Sequence, residues 1–168
     1  QIPDDKTLSG MLESGELDAV IGARAPSCFL RGAPHVGRLF ENYREVEADY
    51  WRRTRIFPIM HLIGIRRALV DQHPWLPVNV FKAFIEAKRL AMHELNEICH
   101  LALTLPWMVH EYNATRALMG EDYWPYGFAE NRHMLETFTR YHHEQGMSAR
   151  QVDPRELFAA SSLDLSKI

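Results

Sequence analysis

Two short apolar runs and a series of helix-spaced stretches organise this chain. Residues 7–15, Thr-Leu-Ser-Gly-Met-Leu-Glu-Ser-Gly, read as a short helix with Thr7 as its N-cap and Gly15 as its left-handed C-terminal cap. Residues 19–23 follow as a continuous apolar run closed by Arg24 and Pro26, the pattern of a strand buried on both faces of a parallel sheet. Residues 27–41 hold Gly32, Pro34 and Gly37 and read as a loop. Asn42 then suits an N-cap, and Tyr43, Val46 and Tyr50 carry helical spacing to about Thr54. The stretch 56–66 is extended, with a second strand at 60–65. Pro58 holds Phe57 out of the helical region, which suits a stiff crossing between two domains.

Beyond that crossing the pattern is helical. A short helix over 66–72 stops at His73-Pro74. Pro77 then introduces a long amphipathic stripe through Val80, Phe81, Phe84, Ala87, Ala91, Leu95 and Ile98. Pro106 opens a helix that ends at Gly120, and residues 123–127 form an aromatic loop. The helix 128–145 places Leu135, Phe138 and His142 on one face and stops at Gly146. Asp153-Pro154-Arg155-Glu156 starts a last short helix with cap, proline and capping-box glutamate in register.

A chain of 168 residues, 46% hydrophobic and 24% charged with a net charge of −3, is long enough for one core. The charge balance argues against nucleic acid as a partner, and no apolar run is long enough for a membrane span. Cys28 and Cys99 lie far apart without metal-like spacing, so free thiols in a reducing, cytoplasmic setting are expected. Two strands alone are marginal in water, and parallel sheets normally have several. The expected fold class is therefore α/β, with this chain the helix-rich C-terminal half of a longer protein. A half of that kind could pair with a second copy to cover exposed sheet edges, as a homo-oligomer.

Candidate chemistry gathers at the strand ends. In open α/β sheets ligands sit beyond the carboxyl ends of strands, where Arg24 stands; its planar fork suits a carboxylate. The alternative for Arg24 is a surface residue or an internal salt bridge. Ser27 and Cys28, on the same loop, offer donors to an oxyanion. His61 opens the second strand and can move a proton near neutral pH; its alternative is a histidine bonded to backbone. Arg66 and Arg67 end that strand, where one of them assists as a cation or, the favoured alternative, both cap the strand end or face solvent. Trp107, Tyr123, Trp124 and Tyr126 either stack on a flat aromatic ligand or anchor core and loops. His93, Glu97 and His100 share a helix face with metal-ligand spacing. Equally polar neighbours, Glu94 and Asn96, favour a solvated face instead, so no metal site is expected. A Ser-His-Asp hydrolase is not supported, because no Gly-x-Ser-x-Gly elbow occurs.

The strings Leu-Glu-Ser-Gly-Glu-Leu-Asp-Ala-Val-Ile-Gly-Ala-Arg-Ala-Pro (12–26) and Ile-Phe-Pro-Ile-Met-His (56–61) stand out. Their specific parts are Gly-Ala-Arg-Ala-Pro (22–26) and Phe-Pro-Ile-Met-His (57–61), in combination with Trp-Pro-Tyr-Gly (124–127). With them go His-Pro-Trp-Leu (73–76), Arg-Ala-Leu-Met-Gly (116–120), Trp-Pro-Tyr-Gly (124–127) and Tyr-His-His-Glu-Gln-Gly (141–146). Together they resemble the C-terminal half of the 4,5-dihydroxyphthalate decarboxylases of bacterial phthalate breakdown. The resemblance implies a two-lobed fold like that of type II periplasmic binding proteins, with ligand between the lobes. Residues 1–55 would end the second lobe. Residues 56–168 would supply the return crossing strand and the helices completing the first.

The implied reaction converts 4,5-dihydroxyphthalate to 3,4-dihydroxybenzoate and CO2 without an organic cofactor. It needs an acid for ring carbon, a cationic clamp for the retained carboxylate and a dry wall beside the leaving one. His61 is the expected acid or base and Arg24 the clamp, with Ser27, Arg66 and Trp124 as further substrate contacts. A solute receptor for an aromatic carboxylate, serving an importer, is the competing class. A regulator's effector-binding domain is the third.

Overall fold

The computed structural model describes residues 2–97, 99–100 and 102–165. The chain divides into two compact units, 1–47 and 48–168. The boundary falls inside one helix.

The first unit is built on helix α1 (Leu8–Ser14) and a single helical turn, α2 (Ser27–Leu30). The Thr7 side chain accepts from the Gly10 N–H, and Gly15 adopts φ 78°, ψ 14°. That left-handed turn lets the Gly15 and Glu16 N–H groups return to the carbonyls of Leu12 and Met11, so both expected caps are present. The α2 turn sits where the sequence suggested a loop. Ser9 holds it: the Ser9 Oγ accepts from the Cys28 N–H at 2.9 Å and lies 2.8 Å from the Ser27 Oγ. Cys28 is fully buried at that contact. Arg31 pairs with Glu13 at 2.7 Å, and Arg38 lies over the rings of Phe29 and Tyr43.

Helix α3 (Tyr43–Thr54) crosses the boundary. The second unit continues with α4 (Arg67–Gln72), α5 (Leu76–Asn96), α6 (Met108–Met119), α7 (Phe128–Glu144) and 3-10 turns at Pro154–Leu157 and Ala160–Ser162. Within it α5 packs on α4, α6 and the second turn, while α7 packs on the first turn. Ile56, Met108, Phe128 and Leu135 are its buried apolar residues, with Thr139 buried beside them. The inner face of α7 is thus 128, 135 and 139, at helical repeats of seven and four. Phe138, expected on that face, is 59% exposed and stacks on His142 instead.

Asp153 caps the first 3-10 turn, accepting from the Arg155 N–H, while Glu156 reaches back to the Asp153 N–H; the expected capping box is present. A hydrogen bond from Arg150 holds the Glu156 carboxyl below its ordinary range. This support is therefore present at neutral pH and lost as pH falls through that lowered value. Replacing Asp153 with alanine should cost about 1 kcal/mol, read as a lower urea midpoint for the full-length protein.

No strand forms among the described residues. The two predicted strands, 19–23 and 60–65, lie outside regular structure and largely exposed, with Ile21 at 103% and Ile63 at 60%. Strands satisfy their backbone groups only through a neighbour, and these runs have none here. The two strands are corrected accordingly, while the helix-rich character expected of the chain is present among the described residues. The surface is correspondingly large. Two separate compact bodies of these lengths would expose roughly 10,000 Å²; this chain exposes 13252 Å².

Candidate functional site

The second unit contains a cavity of about 690 Å³, within the range of small-molecule sites. One wall is the extended segment 57–65. Val80, Phe81 and Phe84 of α5 form the next, the aromatic loop 123–127 a third, and the first turns of α7 the last. The wall is mostly apolar, with Arg55, His61, Glu130, Asn131 and His133 as its principal polar groups.

The aromatic loop is fixed in place by α7. The Asn131 side-chain amide donates to the carbonyls of Pro125 and Gly127, both at 2.9 Å. Gly127 has φ 102°, and a Cβ there would come within 2.9 Å of the Leu165 carbonyl oxygen, so only glycine fits this turn. Trp124 meets Phe57 with ring centroids 5.6 Å apart and planes tilted by 56°. Behind the loop, Tyr123 donates to the Met92 sulfur at 3.2 Å and meets Tyr112 edge-on. Burial, followed by the neighbouring Tyr112, pushes the Tyr123 phenol upward, so it stays protonated at neutral pH. The ammonium of Lys88 pairs with Asp122 and lies over the Tyr126 ring.

The extended segment is held at two points. The Ile59 N–H donates to the Met134 sulfur at 3.1 Å. At its start, Thr54 accepts from the Ile56 N–H through Oγ1, and the Thr54 carbonyl lies 3.0 Å from His133 Nε2.

The expected site residues distribute unevenly over these features. His61 and Trp124 line the cavity. His61 is exposed and engages no hydrogen-bond partner among the described residues. Arg66 is exposed just before α4, its carbonyl accepting from the Leu69 and Val70 N–H groups, and is not on the cavity wall. Arg24 and Ser27 belong to the first unit. Arg24 is exposed, with no hydrogen bond or ion pair among the described residues, and Ser27 faces Ser9. The helical face proposed for His93, Glu97 and His100 does not form. Helix α5 ends at Asn96 and Glu97 turns extended, so His100 leaves that face; Ile98 lies outside the described residues. No group of three metal-ligating side chains gathers among the described residues, and none of their helices is long and apolar enough to cross a membrane. Sequence reasoning did not single out Arg55, Glu130, Asn131 or His133. They converge only through the packing of α7 against the end of α3 and the loop.

Comparison with known proteins adds a sequence relationship to this geometry. No family model matches the chain. It is 45% identical over 166 residues, 99% of its length, to a 4,5-dihydroxyphthalate decarboxylase of Comamonas testosteroni, of which the match covers 50%. A 50-residue stretch is 56% identical to a 4,5-dihydroxyphthalate decarboxylase of Pseudomonas putida, covering 30% of this chain and 19% of that protein. The chain spans about half the length of the first of these. The chain is accordingly similar to these two 4,5-dihydroxyphthalate decarboxylases, to the first of them along almost its whole length.

Proposed function

We propose that the full-length protein decarboxylates 4,5-dihydroxyphthalate, giving 3,4-dihydroxybenzoate and CO2. The observation that carries this reading is the 45% identity sustained over 99% of the chain to a protein of that name. The names of both relatives favour it over a solute receptor. The cavity is consistent with it: apolar and aromatic walls suit a benzene ring, and a histidine stands at the wall.

The chemistry follows from the ring. The hydroxyl para to one carboxylate gives up its proton and pushes an electron pair toward the carbon bearing that carboxylate. That carbon takes a proton and becomes tetrahedral. The bond to the carboxylate then breaks as CO2 leaves, its electron pair restores the aromatic ring, and the hydroxyl regains its proton. His61 is the proton donor in this proposal, because an imidazole carries a transferable proton near neutral pH. Arg24 clamps the retained carboxylate, with Ser27, Arg66 and Trp124 as further contacts. Apolar walls beside the departing group favour neutral CO2 over the charged carboxylate.

A two-lobed fold like that of type II periplasmic binding proteins accompanies this proposal, with residues 1–55 ending one lobe and 56–168 completing the other. The unpartnered apolar runs 19–23 and 60–65 support it, since strands supplied by the other half of such a protein would pair with them. A cytoplasmic location belongs to the same reading, and the exposed free thiol of Cys99 suits a reducing compartment. Incubating full-length protein with 4,5-dihydroxyphthalate tests the reading: stoichiometric CO2 and 3,4-dihydroxybenzoate are expected. Substrate left intact overturns it.

A further inference from the structure

Among the described non-glycine residues, Arg55 alone has a positive φ, at 57°. A long side chain disfavours that left-handed conformation, which persists only where the surroundings impose it. Here they do. The Arg55 N–H donates to the Trp51 carbonyl at 2.8 Å, and Thr54 just before it is held by the Ile56 N–H and by His133. Trp51, in turn, donates through its indole N–H to the Leu118 carbonyl. The turn thus sends the Arg55 side chain to the cavity wall and its guanidinium over the Trp51 ring, 5.8 Å from the centroid. A cation–π contact of that kind uses none of the guanidinium's N–H groups as hydrogen-bond donors to an oxygen, so its fork stays available for two parallel hydrogen bonds to a carboxylate. No ion pair is formed by Arg55 among the described residues, although Glu130 lines the same cavity.

From this arrangement we infer that Arg55 is a specificity-determining residue that binds a carboxylate of an aromatic guest in the second-unit cavity. The inference rests on the proposal that this protein takes an aromatic dicarboxylate. It adds a cation to those of Arg24 and Arg66. A dicarboxylate presents two anionic groups, and Arg55 is assigned one of them.

Phthalate tests it, because a ring without hydroxyls lacks the electron push for decarboxylation and reports binding alone. Calorimetry on the full-length protein should show phthalate binding weakened about 10- to 100-fold in Arg55→Gly, less in Arg55→Lys, and catechol binding unchanged. The thermal midpoint should hold or rise in Arg55→Gly, since glycine adopts this backbone without strain. Arg55→Asn, which also tolerates the left-handed region, serves if the glycine variant fails to fold. Phthalate binding undiminished in the folded variant overturns this inference alone and leaves the decarboxylase reading standing. No phthalate binding by the parent protein also overturns this inference, whereas the decarboxylase reading stands or falls on CO2 release from 4,5-dihydroxyphthalate.

Discussion

Replacing His61 with glutamine is expected to lower turnover of 4,5-dihydroxyphthalate by roughly 10²–10⁴-fold, the usual contribution of a positioned acid or base. Glutamine keeps a polar side chain of similar reach but does not act as a general acid or base near neutral pH. The substitution therefore removes proton transfer while disturbing the cavity wall little. Because His61 is exposed and makes no hydrogen bond among the described residues, its loss orphans no buried partner there. A fall in kcat with the thermal midpoint unchanged assigns it to proton transfer. An unchanged kcat in the full-length variant removes His61 from the mechanism.

The second large effect concerns Arg24. Its replacement by alanine should reduce kcat/KM by about 100-fold, corresponding to roughly 3 kcal/mol for a charge-assisted bidentate contact. The guanidinium has no ion-pair partner among the described residues. Little folding stability should accordingly be lost with it, and steady-state kinetics can be compared at equal thermal midpoints. A loss below tenfold would exclude Arg24 as the clamp. Comparing Arg24→Ala with Arg55→Gly also separates the two cations, since additive losses would mark independent contacts with the two carboxylates.

What the sequence announced about this fold was local chemistry. Thr7, Gly15, Pro77, Gly120 and the Asp153–Glu156 box each act within one turn of chain, and each terminates or starts helix as expected. The strands failed because pairing is not local: 19–23 and 60–65 have the right apolar pattern, but extended backbone becomes a strand only beside another. The end of α5 was equally hidden. Neither glycine nor proline marks Asn96, and the histidine face extrapolated beyond it came apart. On α7 the choice between Phe138 and Thr139 was decided by the direction of neighbouring elements, which hydrophobicity alone does not encode. His61 and Trp124 were legible as cavity residues because the extended segment and the aromatic loop are visible punctuation around Pro58 and Pro125. Arg55 was not, since a left-handed arginine leaves no trace in composition.

The sparseness of the buried side chains has a thermodynamic corollary. Cooperativity in unfolding comes from the area that water gains when the native state is lost, and this stretch already exposes 13252 Å², nearly half of the roughly 28,000 Å² of its extended chain. A heat-capacity increment and denaturant slope small for its length, and gradual melting, are the expected consequence. A sharp transition belongs to the state in which the greasy ribbons at 19–23 and 60–65 are sheathed.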